Sequence, residues 1–314
     1  MSGSRAFAPA TIGNVICGFD VFGLALEGPG DEVEARLRDE PGVVISAVHG
    51  DRGRLPTEAS QNVAGMAANA LLADCGMENV GIELEVWKGL PISGGMGGSA
   101  ASAVAAVVAT DALLQTNLSP QRLLRYASEG ERGPKGDTHP DNIAPALCGG
   151  IVMVRPEEPT VAIPLPVPAG LSVALVHPEL ELETKRMRGV LPDALPLRDA
   201  VGQWADCSAL VVGLYEEDWD LIGRALVDRV AEPHRRSFIP GFDAVRAAGL
   251  GAGALGAGLS GSGPSMFALC RSIADAETVA GAMAVAFAGA GIESTDVHVS
   301  GVGRLGSHVI EPPA

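Results

Sequence analysis

From Ile82 to Trp87 the side chains alternate: Ile82, Leu84 and Val86 fall on one face, Glu83, Glu85 and Trp87 on the other. That two-residue period predicts a half-buried strand. From Ser99 to Leu114 the chain is nearly all Ala and Val, with no Gly or Pro, which predicts a buried helix. Similar patterns predict strands within 5–26, broken by turns at Gly13-Asn14 and Gly18, and at 33–37 and 42–48. A helix is expected over 62–73 with Asn62 as its N-cap, and another over 121–128. In the second half the patterns predict a strand at 171–177 and helices at 201–215 and 221–230. They continue with two strands (254–259 and 265–269), a helix at 273–288 and a strand at 296–302. The Pro-rich stretch 156–168 marks the expected boundary between two units, 1–160 and 161–303, with a frayed tail at 304–314.

Between the strand at 82–87 and the helix at 99–114 runs Pro-Ile-Ser-Gly-Gly-Met-Gly-Gly-Ser-Ala-Ala-Ser, residues 91–102. Glycines let the backbone curl tightly and aim several N–H groups at one point, and a helix N-terminus adds unpaired donors and positive dipole. An anion, with a phosphate chain first, is the natural ligand. Three readings remain open here. The stretch is a plain structural turn with Ser99 as the N-cap, a dinucleotide loop, or a nucleoside-triphosphate loop lacking the Gly-Lys-Ser/Thr of a Walker motif. The dinucleotide reading is disfavoured, since a second helical segment follows where a strand with a terminal acid is needed.

Composition narrows the partners. The net charge of −16 argues against nucleic acid or an anionic membrane surface, and makes any phosphate site depend on local cations. Lys occurs only at 88, 135 and 185; every other basic residue is Arg. Five scattered cysteines without a Cys-x-x-Cys pair fit free thiols in a reducing compartment, and no Cys/His grouping has zinc spacing. The opening residues lack a secretion-signal pattern, and no run is long and apolar enough to span a membrane. A soluble, cytoplasmic protein is expected.

Several polar groups stand out. Asn14 and Asp20 interrupt an apolar stretch. Glu131, His139, Asp141 and Asn142 crowd a loop broken by Gly and Pro, which also holds Lys135. Thr184-Lys185-Arg186-Met187-Arg188 is a basic cluster in an acidic chain, and so a candidate anion site. Glu232-Pro233-His234-Arg235 follows, then a second glycine loop, Ser260-Gly261-Ser262-Gly263-Pro264, placed to close over a ligand of the first.

Taken in order, these stretches resemble the GHMP kinase superfamily, and within it the homoserine kinases most closely. The superfamily phosphate loop is similar to Pro-x-x-x-Gly-Leu-Gly-Ser-Ser-Ala-Ala, matched by 91–101. Homoserine kinases carry an Asn…Gly-Phe-Asp-x-x-Gly segment, matched by Asn14 and 18–23, and His-x-Asp-Asn-x-Ala-Pro, matched by 139–145. Thr-Lys-x-x-Arg matches 184–188, Glu-Pro-x-Arg matches 232–235, and Ser-Gly-Ser-Gly-Pro matches 260–264. The matches keep one order over residues 8–270.

The resemblance implies an α+β, two-domain GHMP kinase fold. An N-terminal ribosomal-protein-S5-like α/β domain would carry the phosphate loop, a C-terminal ferredoxin-like domain would follow, and the active site would lie between them. It implies ATP-dependent phosphorylation of the side-chain hydroxyl of L-homoserine to O-phospho-L-homoserine, for threonine biosynthesis. Nucleotide contacts are implied for Asn62 near the nucleoside and Lys88 near the phosphates. In the loop they are implied for Pro91, Gly94, Gly95, Met96, Gly97, Gly98, Ser99, Ala100 and Ala101. Mg²⁺ contacts are implied for Ser99 and Glu131, and homoserine contacts for Asn14, Asp20, His139, Asn142, Arg188 and Arg235. Thr184, Asn142 and Arg188 would stand at the reacting centre. Families of this kind are commonly dimeric, which leaves a homodimer open. The alternatives are a GHMP kinase for another small alcohol and a noncatalytic nucleotide- or amino-acid-binding relative. Gly98 replaces the first Ser of the usual pair and Met96 the usual Leu, so weakened or altered nucleotide contacts are expected at Gly98. Asn142 suits a route without a strong base, while Asp141 beside it keeps a base available.

Overall fold

The computed structural model describes residues 3–132, 138–155, 157 and 160–310; Lys135 and its loop, and Pro156 of the Pro-rich stretch, lie outside them. The first unit opens with two long antiparallel strands, β1 (Gly3–Gly13) and β2 (Phe22–Arg38). Then come β3 (Gly42–His49), α1 (Val63–Asp74), β4 (Gly81–Trp87), α2 (Gly98–Leu114), α3 (Pro120–Arg132), α4 (Pro140–Cys148), β5 (Ile151–Arg155) and β6 (Val161–Leu165). The second unit contains β7 (Ser172–Pro178), α5 (Thr184–Gly189), α6 (Leu197–Glu216), α7 (Trp219–Ala225), α8 (Glu232–Arg235), α9 (Phe242–Gly251), β8 (Gly256–Leu259), β9 (Met266–Cys270), α10 (Ile273–Gly289) and β10 (Thr295–Gly301). A short β11 (His308–Ile310) ends the described chain.

The first sheet has the order β11-β1-β2-β4-β3, with β5 also paired to β2 and β6 to β5. The Ala-rich α2 crosses this sheet. Ala100 to Val107 are all buried in it, because small side chains let the helix sit close to β1, β2, α1 and α3. The second sheet runs β10-β7-β9-β8, all antiparallel, with helices between β7 and β8 and between β9 and β10. This is the βαββαβ ferredoxin-like arrangement.

Three expectations differ from what is observed. Among the described residues the chain stays ordered after Gly303: residues 308–310 pair with β1, from Phe7↔His308 to Arg5↔Ile310. The division at 160/161 falls inside the β5–β6 hairpin. β6 is an edge strand, where Pro164 is tolerated because no further partner needs its missing N–H. The helix expected over 221–230 stops at Ala225. Beyond it, Asp228 draws the chain into a turn by accepting from the N–H groups of Val230 (2.7 Å), Ala231 (2.9 Å) and Glu232 (3.0 Å).

Candidate active site

The 91–102 stretch is the turn between β4 and α2. Ser93, Gly95 and Gly97 take left-handed φ values of 57°, 74° and 67°. Gly97, not Ser99, is the N-cap of α2. At Gly97 a Cβ would collide with Thr11 Oγ1 and meet Asn142 Oδ1 at 3.1 Å, so only glycine fits this approach. Ser99 is free of capping because its hydroxyl donates to Glu131 Oε1 at 2.6 Å. The second glycine loop is fastened to the first, as Ser260 Oγ donates to Gly95 O (2.6 Å) and Ser265 Oγ to Gly94 O (2.5 Å). Both units thus frame one cleft over the N-terminus of α2.

Two residues placed near the nucleotide by resemblance are otherwise engaged. Asn62 is the N-cap of α1: Oδ1 accepts from Ala64 N (3.0 Å) and Nδ2 donates to Pro56 O (2.8 Å), so its buried side chain fixes the start of that helix. The Lys88 ammonium lies beneath the loop and not in the cleft. It is ion-paired with fully buried Asp31 and donates to Gly98 O (2.7 Å) and Ser102 Oγ (2.9 Å). All three of its protons are used there. Gly98 itself has room for a side chain, the nearest atoms to a Cβ being Lys88 Nζ at 3.4 Å and Leu90 Cβ at 3.5 Å.

The other end of the cleft gathers residues far apart in sequence. Between β1 and β2 the chain makes a left-handed turn through Asn14, Val15 and Ile16 (φ 72°, 44° and 62°), strained for the two β-branched residues. Asn14 holds this turn in place. Its Oδ1 accepts from Asp20 N (3.0 Å), its Nδ2 donates to Gly261 O (3.1 Å), and its backbone N–H donates to Asp141 Oδ2 (3.2 Å). Asp20 forms a two-pronged ion pair with Arg188 of α5, at 2.7 and 3.2 Å. Arg235 of α8 is buried, donates to the carbonyls of Met187 (3.1 Å) and Gly261 (3.2 Å), and, like Arg188, lies over the ring of Phe19, at 5.7 and 5.2 Å respectively. Burial and then the Arg188 charge pull the Arg235 guanidinium below its ordinary pKa. Two guanidiniums over one ring, only one of them paired directly with the Asp20 carboxylate, suit a receptor for a further carboxylate. Thr184 Oγ1 lies 3.3 Å from Ser262 Oγ, at the rim between α5 and the second loop.

α4 supplies the remaining groups. Asn142 Oδ1 accepts from Thr11 Oγ1 (2.9 Å), which places its amide against Gly97 of the phosphate loop. His139 donates its backbone N–H to Glu131 Oε2 (2.8 Å) and its ring Nδ1 lies 3.5 Å from the same oxygen. Burial opposes a charge on this ring, but Glu131 and Asp141 outweigh it and the His139 pKa is raised. Asp141 is buried, and its Oδ1 has no hydrogen-bond partner. Desolvation, then the charge of Asp20, pushes its carboxyl up to about 7.

That shift has a definite sign. In the unfolded chain the carboxyl titrates near about 3.9. The fold therefore favours protonated Asp141, a contribution complete below about pH 4 and lost as pH rises through about 7. Asp141→Asn removes it. Thermal unfolding of the wild type is expected to weaken more steeply than that of Asp141→Asn between about pH 4 and 7. Parallel curves for the two proteins would refute a raised Asp141 pKa. Glu232, also raised to about 7 by burial, is present in both and cancels from the comparison.

Comparison with known proteins places this geometry. Residues 62–150 match the GHMP kinases N-terminal domain model and residues 210–288 the GHMP kinases C-terminal model. The chain is 44% identical over 313 residues to a homoserine kinase of Chloroherpeton thalassium, covering 97% of this chain and 98% of that protein. The chain belongs to the GHMP kinases. A homoserine kinase of Chlorobium phaeobacteroides is 46% identical over 292 residues, covering 90% of this chain and 91% of that one. The crystal structure of a homoserine kinase from Cytophaga hutchinsonii superposes with a TM-score of 0.95 at 45% identity, covering 99% of this chain and 98% of the other.

As a GHMP kinase the chain draws its phosphoryl group from ATP, and a glycine turn at a helix N-terminus is suited to a phosphate chain. Ser99 and Glu131 suit a magnesium ion, which binds through one or two protein oxygens and takes other ligands from substrate phosphates and water. Among the described residues no three His, Cys, Asp or Glu side chains cluster to hold a metal by themselves, so the nucleotide would complete the coordination. Sequence reasoning missed Thr11, Asp31 and Ser102 in this GHMP kinase. Thr11 and Ser102 sit in apolar runs, and Asp31 follows Gly28-Pro29-Gly30, which reads as an ordinary turn. No helix among the described residues is long and apolar enough to cross a membrane.

Proposed function

We propose that this site transfers the γ-phosphoryl group of ATP to the side-chain hydroxyl of L-homoserine, giving O-phospho-L-homoserine, a step of threonine biosynthesis, in a cytoplasmic homodimer. The observation that carries the substrate is the Arg188–Asp20 pair with Arg235 alongside, all on Phe19. An α-amino acid presents the same two charges in reverse. Its carboxylate replaces Asp20 at Arg188 and Arg235, and its ammonium replaces Arg188 at Asp20. Asn14 and His139 border that pocket. The side-chain hydroxyl then extends toward Asn142 and Thr184, with Asn142 already against the phosphate loop.

Phosphoryl transfer asks for positioning and charge neutralisation more than for a strong base. The loop amides from Gly94 to Ala101 and the positive end of α2 receive the triphosphate, and Lys88 fixes the loop from below. Ser99 and Glu131 hold Mg²⁺, which neutralises phosphate charge when bound. Asn142 orients the attacking oxygen, a role an amide fills without titrating. The absent hydroxyl at Gly98 leaves the loop intact, since its carbonyl is already tied to Lys88.

Phosphorus NMR of the protein with Mg-ATP tests this reading, using L-homoserine beside samples with no acceptor, L-serine and mevalonate. A phosphomonoester resonance is expected with homoserine alone. A resonance with another acceptor would keep the kinase and remove homoserine as the substrate. Silence with every acceptor would remove turnover altogether.

A further inference from the structure

Helix α6 is amphipathic twice over. Its inner side buries Gln203, Leu210, Gly213 and Leu214, and from it Gln203 Nε2 and Cys207 Sγ donate to the carbonyl of Cys17 in the substrate turn. Its outer side carries a second apolar stripe. Leu197, Val201, Trp204, Val212 and Tyr215 are between 50% and 73% exposed. At about 100° per residue these five and Ser208 fall within an arc of about 80°. Large side chains on one exposed helical face, running about 27 Å from Leu197 to Tyr215, mark an interaction surface and not ordinary scatter.

The order of residues along the stripe names the occupant. We infer that the outer face of α6 is the dimer interface of this protein, pairing antiparallel with α6 of a second copy about a two-fold axis near Asp206. Antiparallel pairing about that point sets Leu197 opposite Tyr215, Val201 opposite Val212 and Trp204 opposite Ser208. The indole of each copy thereby meets the smallest side chain of the other, large into small.

The flanking charges agree. Arg198 and Glu216 are both exposed, each follows one end residue of the stripe, and both lie on the same flank of the helix. Neither has an ion-pair partner among the described residues. A two-fold antiparallel pair sets that flank against itself, so Arg198 of each copy meets Glu216 of the other, twice per dimer. Parallel pairing would instead leave Arg198 and Glu216 at opposite ends of the pair, about 27 Å apart, where they could not meet. One helix would then join the dimer on its outer face and brace the substrate turn on its inner face.

This assignment rests on the homodimer reading above, and sedimentation equilibrium of the full chain at micromolar concentration tests the two separately. The wild type is expected at twice the chain mass of 32.0 kDa. Trp204→Glu, on an exposed side chain, is expected at the single-chain mass with unchanged circular dichroism. Arg198→Glu and Glu216→Arg are each expected to weaken the dimer about tenfold, and together to restore it. A monomeric wild type would overturn both the dimer and the surface. A dimer that survives Trp204→Glu would overturn the surface alone, and a doubly swapped chain no tighter than the single variants would overturn the antiparallel register.

Discussion

Arg188→Ala is expected to raise the KM for homoserine by about 100-fold while leaving the KM for ATP within about twofold. Charge-assisted hydrogen bonds contribute roughly 1.5–3 kcal/mol each, and about 1.4 kcal/mol is a factor of ten. Truncation removes a bidentate partner of the substrate carboxylate, and it also leaves Asp20 without the guanidinium that now satisfies it at 2.7 and 3.2 Å. Arg188→Lys is expected to recover little, because an ammonium is a point donor and cannot reproduce the fork. The decisive comparison uses 3-aminopropan-1-ol, which is homoserine without its carboxylate. The wild type should lose as much kcat/KM on this acceptor as Arg188→Ala loses on homoserine. Combining the variant with the truncated acceptor should cost little more, because both changes delete one interaction. Additive losses would place the carboxylate elsewhere.

This pair also shows what the sequence could and could not disclose. Asp20 and Arg188 each stood out as polar groups in recognisable segments, but their contact spans 168 residues and depends on α5 folding back over the β1–β2 turn. Local pattern carries the glycine loop, because its chemistry is written in consecutive residues: tight turns, then a helix start. It likewise carries several strands and helices of the second unit, whose ferredoxin-like arrangement is implied by the family resemblance and not by period. Pattern fails where a side chain is satisfied by a distant partner. Asn62 keeps its local role as the cap of α1, tied to Ala64 N and Pro56 O. Asp141 looks like a loop carboxylate in sequence, yet its packing beneath the Asn14 turn raises its pKa. β11 is three residues with no periodicity of its own, ordered only because β1 offers an edge.

Lys88 is the case with the largest consequence for stability. A lone lysine beside a phosphate loop reads as a phosphate ligand, yet its partner is Asp31, a residue with no motif around it. The Asp31 carboxylate collects the start of the loop and the start of the helix in one place. Oδ1 accepts from Gly89 N (3.1 Å) and Leu90 N (3.3 Å), and Oδ2 from Ser102 Oγ (2.7 Å) and the Lys88 ammonium. With Asp31 fully buried and Lys88 nearly so, the charges depend on each other. Breaking a buried pair from one side costs about 3–5 kcal/mol. Asp31→Asn keeps the shape and removes the charge, so it is expected to lower the Tm by roughly 10 °C, at about 2–4 °C per kcal/mol for a domain of this size. The KM for ATP should rise with it, since Gly98 O loses its fixed donor. Differential scanning calorimetry with and without ATP reads both effects, and a Tm shift under about 2 °C would show that the pair is not coupled. The paired replacement Asp31→Leu with Lys88→Met separates stability from binding. Apolar residues of similar volume can replace a buried ion pair at little cost, so much of the Tm should return. ATP affinity should not return, because the Gly98 carbonyl would still lack the ammonium that now holds the loop from below.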